Sequence, residues 1–73
     1  MGGEISRFVE QEFNVKVDEA FIIPLWHSFF TQLRVALDQD LTLEQSHEIL
    51  TKIDGEVSER FGTEETTVIP RPV

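Results

Sequence analysis

Between residues 29 and 38 the side chains alternate, with Phe29, Thr31, Leu33, Val35 and Leu37 on one face and Phe30, Gln32, Arg34, Ala36 and Asp38 on the other. A period of two over this length belongs to a strand, because successive side chains of extended backbone point to opposite sides of a sheet. The next element is equally well marked. Asp38-Gln39-Asp40 supplies turn residues, Thr42 can cap a helix, and Gln45 three positions on completes a capping box that satisfies two otherwise orphaned amides. Leu43, Leu50, Ile53, Val57 and Phe61 then form an apolar stripe expected to be buried, and Gly62 supplies the left-handed residue that commonly stops a helix. Gly55, inside this helix, costs about 1 kcal/mol against alanine.

Around this pair the remaining elements are shorter. Ile5, Phe8, Val9 and Phe13 recur at helical spacing and predict a first helix ending near Asn14. Residues 15–25 are rich in β-branched and aromatic side chains, and the run Ala20-Phe21-Ile22-Ile23 suggests a strand covered on both faces for part of its length. Pro24 puts the end of that strand at an edge or at its termination. Residues 65–69 form a last strand, with Pro70 and Pro72 either ending it or confining its tail to an edge. The order helix, strand, strand, helix, strand predicts an α+β open sandwich, a three-stranded sheet with both helices on one face.

At 73 residues the chain is one domain, and a core this small is marginal unless a disulfide, a metal or a partner chain supports it. There is no cysteine, so disulfides and thiolate metal sites are excluded, leaving oligomerisation or a metal held by oxygen and imidazole. The net charge of −8 argues against nucleic acid and anionic membrane surfaces, whose binding needs Lys and Arg to displace counterions. No apolar run approaches the ~20 residues that cross a bilayer, so direct membrane insertion is not expected of these residues. The start Met1-Gly2-Gly3 runs at once into pattern, as in a single domain, 1–73, excised from a longer protein, although a short natural protein would begin the same way.

The run Val35-Ala36-Leu37-Asp38-Gln39-Asp40-Leu41, followed by Leu43 to His47 on a helix and a closing Ile69-Pro70-Arg71-Pro72, resembles the cytoplasmic C-terminal domain of cation diffusion facilitator transporters. Relatives there carry an apolar strand, an acidic turn, a helical Leu-x-x-x-x-Ala-His and a strand ending His-x-Glu/Asp-Pro. The resemblance implies a metallochaperone-like (ferredoxin-like) fold and a homodimer at the cytoplasmic face of a membrane, joined to the transmembrane domain of a divalent-cation efflux transporter.

Carried over position by position, the metal ligands of zinc-handling relatives mostly fail. The first-strand histidine falls at Asp18, which could still offer oxygen; the second-strand histidine falls at Arg34; the helix histidine is kept as His47; the terminal histidine and acid become Ile69 and Arg71. Arginine has no lone pair for a cation. The expectation is a degenerate metal-sensing site in which no cofactor is required, zinc, iron or manganese binds weakly if at all through His47 and Asp18, and Arg34 and Arg71 replace the missing positive charge at the dimer interface by pairing with acids such as Asp18 or Glu19.

Blander readings stand beside these. His47 borders the apolar stripe, where a histidine is more often a packing residue than a ligand. Trp26, the only tryptophan, is either hairpin cover at the core edge or an anchor for a dimer or another partner. No nucleophile elbow, phosphate loop or histidine-carboxylate motif appears, so no enzyme activity is expected. A stand-alone α+β interaction module, or a small metallochaperone-like sensor, is the alternative function.

Overall fold

The computed structural model describes residues 2–72; Met1 and Val73, the ends of the expected 1–73 domain, lie outside the described residues. Five elements follow the expected order: α1 (Gly2–Phe13), β1 (Lys16–Pro24), β2 (Phe29–Leu37), α2 (Leu43–Phe61) and β3 (Glu65–Pro72). The sheet order is β1-β2-β3, antiparallel between β1 and β2 and parallel between β2 and β3. A parallel pair needs a crossover, and α2 provides it.

Local signals set the boundaries. Asn14 stands at φ 53, a left-handed conformation that asparagine tolerates better than most residues, and it turns the chain from α1 into β1. Thr42 and Gln45 form both bonds of the capping box, at 3.1 and 2.9 Å, and Gly62, at φ 68, closes α2 with its amide on the Ser58 carbonyl. Asp38 orders the turn before α2 by accepting the Asp40 amide on its side chain and the Leu41 amide on its carbonyl.

One face of the sheet carries the core. Leu33, Val35 and Leu37 of β2 pack with Ile5 and Val9 of α1 and with Ile53 and Val57 of α2, so both helices cover the odd face of β2. Where the helix turns into β3, hydroxyls replace aliphatics. Thr31 donates to the Thr63 hydroxyl, which lies 3.0 Å from the carbonyls of both Phe29 and Glu65, and Ser58 and Thr66 share another bond of 3.0 Å. Thr31, Thr63 and Thr66 are all buried, and these bonds, Thr31 to Thr63 and Thr66 to Ser58, remove the desolvation penalty each would otherwise carry.

Two expectations require correction. Leu43 is 92% exposed rather than part of the buried stripe. It is the first residue of α2, and helical side chains lean toward the N-terminus, so Leu43 projects past the end of the helix while Ile53 and Val57 lie over the sheet. Nor is β1 covered on both faces: Ala20 and Ile22 pack against the core, while Phe21 and Ile23 are 50% and 43% exposed on the opposite side, where the described residues supply no covering layer. β3 runs through Pro70 and Pro72, as an edge strand can.

Candidate functional site: the open sheet face

The face of the sheet turned away from the helices is organised by an irregularity in β1. Val17 pairs with Val35 and Glu19 with Arg34, so Asp18 is an extra residue in the ladder, a β-bulge. A bulge breaks the strict alternation of side chains. Val17 keeps its place against the core, and the two successive acids Asp18 and Glu19 both reach cations of the open face. Glu10 of α1 supports the kink by accepting the Val17 amide at 2.9 Å.

Each acid meets an arginine. Arg71 of β3 donates through Nε to Asp18 Oδ2 at 2.6 Å and through Nη2 to Asp18 Oδ1 at 3.2 Å, the two-pronged geometry that guanidinium and carboxylate planes favour. Arg34 of β2 approaches Glu19 Oε1 at 3.9 Å, an ion pair without a hydrogen bond, and both partners are well exposed. The first pair joins strands that are not neighbours. Ala36 of β2 is the register partner of both Lys16 and Arg71, so the Asp18–Arg71 bond crosses the sheet above the methyl group of Ala36, which is buried. A larger residue at 36 would stand in its way.

The electrostatics follow the geometry. The Arg71 hydrogen bond holds the Asp18 carboxyl below its ordinary value of 3.8; partial burial opposes this, and the charges of Arg71, Lys16 and Arg34 add to it. Arg71 is pushed up by the same bond.

The expected site residues are thus divided. Asp18, Arg34 and Arg71 share the open face. His47 does not join them: it is exposed on α2, beside Leu50, Thr51, Asp54 and the core-facing Val68, with the sheet between it and Asp18. Both Asp18 oxygens already accept from Arg71. Among the described residues no three His, Cys, Asp or Glu side chains converge as a cation site requires. The described residues do not bring His47 and Asp18 together as ligands of one cation.

Trp26 occupies the hairpin between β1 and β2, closed by the Leu25 amide on the Ser28 carbonyl at 2.9 Å. It is 91% exposed and touches His27 edge-on, with ring centres 6.0 Å apart, so the reading as core-edge cover does not hold. Sequence reasoning missed the bulge, because Val17-Asp18-Glu19 has no glycine to mark it. It also missed the exposure of Phe21 and Ile23, because an apolar pair gives no sign of which chain will cover it.

Residues 25–69, more than half of the chain, match the family model described as "Cation efflux protein, cytoplasmic domain". The chain belongs to this family. Among curated proteins, none matches it. The family match takes in Trp26, Arg34 and His47 and stops short of Asp18 and Arg71, so the bond between β1 and β3 is a feature of this cation efflux domain read from its own geometry. No described helix is long and apolar enough to cross a membrane.

Proposed function

We propose that this cation efflux domain is the homodimeric regulatory domain of a divalent-cation transporter, continuous with a transmembrane domain, and that its metal-sensing site is degenerate. The Asp18–Arg71 bond takes the structural role of an ion. Membership of this family supports self-association. The observation that carries the reading is the two-pronged bond spanning β1 and β3 across Ala36. A cation bridging carboxylates and imidazoles could tie the same strands, but only while metal was abundant. A guanidinium ties them at any metal concentration, because it stays protonated and cannot be chelated away. The domain would then couple to the membrane portion as a fixed two-fold support, blind to cytosolic zinc, iron or manganese.

Calorimetric titration with zinc, manganese and iron(II) tests this. The wild-type chain is expected to give no stoichiometric binding heat, and chelator is expected to leave its melting temperature unchanged. Arg34→His combined with Arg71→Asp restores ligand types at those positions and should create zinc binding. Stoichiometric zinc binding by the wild type, abolished by His47→Ala, would overturn the degenerate site.

A further inference from the structure

We propose that the cleft between α1 and α2, where Arg7, Gln11 and Arg60 surround the rings of Phe8 and Phe61, binds a small phosphate ester with an aromatic body. The cleft belongs to the helical layer, on the other side of the sheet from the Asp18–Arg71 bond, and needs neither a metal nor a second chain.

The use of the cations points there. Six basic residues stand against 14 acids, so every lysine and arginine has carboxylates to choose from. Among the described residues, the ion pairs within 4.0 Å take up Arg34, Lys52 and Arg71. Lys16 adds its charge at Asp18. Arg7 and Arg60 are left, both exposed, and they line one cleft. Sequence neighbours do not account for this, because Glu4 and Glu10 each stand one turn from Arg7 and Glu56 one turn before Arg60, spacings at which helical ion pairs form. Arg60 instead crosses to α1, its guanidinium 4.6 Å from the centre of the Phe8 ring. A cation in the last turn of α2 is favourable by itself. Arg7, in the middle of α1, has no such reason to stand without an acid.

The chemistry of the lining selects the ligand. One guanidinium satisfies a planar carboxylate with its two-pronged edge, as Arg71 does for Asp18. Two guanidiniums on different helices suit a tetrahedral phosphate, whose oxygens accept from several directions, and the Gln11 amide is a further donor. The floor is apolar. Phe8 and Phe61 are half-buried and meet edge-on, with ring centres 5.7 Å apart. Inorganic phosphate has no use for such a floor, whereas an aromatic ester gains by packing its ring there. The cleft measures about 270 Å³, below the roughly 300–1,000 Å³ of pockets for drug-sized molecules, which limits the ligand to about one ring and its phosphate. Glu4 opposes binding. It lines the same cleft, so two cations face one carboxylate, and the net charge of −8 repels anions from the rest of the molecule.

Titration of the 73-residue chain with phenyl phosphate, inorganic phosphate and benzoate at low salt, followed by nitrogen-edited NMR, tests this. Phenyl phosphate should shift the amides of Arg7, Gln11 and Arg60 at millimolar concentration and bind several-fold more tightly than either of the other two. Arg7→Gln and Arg60→Gln should each weaken it about tenfold, the worth of one charge-assisted hydrogen bond, with far-ultraviolet circular dichroism confirming that both variants fold. Lys52→Gln removes the same charge elsewhere on α2 and should leave binding unchanged, and Glu4→Gln should tighten it. Equal affinity for the three ligands, or equal losses from Lys52→Gln and the arginine variants, would reduce the effect to unselective charge attraction and overturn the site. Absence of any shift with phenyl phosphate would overturn it outright. A phosphotyrosine peptide that binds more tightly than phenyl phosphate would overturn the small-molecule assignment in favour of a modified partner protein.

Discussion

The Asp18 carboxylate binds its proton more weakly in the folded chain than in the unfolded one, and this fixes the sign of a pH effect. A carboxyl depressed on folding contributes stability above its unfolded value, near 3.8, and that contribution is lost as pH falls through the lower folded value. Arg71→Ala removes the bond and returns Asp18 toward its ordinary value. The expected result is a lower melting temperature than wild type at pH 7, a difference that shrinks as pH falls below 3.8 and through the lower folded value. Arg34→Ala, which breaks an exposed pair without a hydrogen bond, should change melting little at either pH. Equal effects of the two substitutions at pH 7 would show that the Asp18 bond has no special standing. These residues also mark how far the sequence could be read. That arginines cannot ligate a cation follows from their chemistry alone, and the acids expected to pair with them were in view. Which acid meets which arginine depended on the bulge, a backbone event that leaves no mark in Val17-Asp18-Glu19.

At the scale of elements, α2 was the most legible part of the chain and also held an error. Its cap, its stop at Gly62 and its core positions Ile53 and Val57 follow from local chemistry, because capping and periodicity act within one helix. Leu43 satisfied the same periodicity and fails, because burial also needs a facing element and none lies beyond the first turn. The hydroxyl pair of Thr31 and Thr63 was invisible for a related reason: it forms between segments about thirty residues apart. Gly55 gives this scale its prediction. It sits in the middle of α2 on the exposed side, and a Cβ there would meet nothing within 4 Å. Gly55→Ala should therefore stabilise the fold by about 1 kcal/mol in chemical denaturation. A loss of stability would mean that the glycine serves some other need.

For the molecule as a whole, seven buried aliphatic side chains form the core of a body 40 × 20 × 17 Å. Ile53 is fully buried among them, and Ile53→Ala should cost about 2–5 kcal/mol. In a domain of this size each kcal/mol moves the melting midpoint by roughly 4–8 °C. The expected drop is therefore at least about 8 °C by calorimetric scanning, and if only the folded chain associates both midpoints should rise with protein concentration. Midpoints independent of concentration would separate the stability of the fold from self-association.

The two borders of the sheet are not alike. β3 carries Pro70 and Pro72 beside Val35 and Leu37, and a proline brings no amide hydrogen to a ladder. An incoming extended peptide would find gaps in the row of donors along that border. The strand on that border is thereby a poor template for fibril growth, so the fold guards one of its two open borders by composition alone.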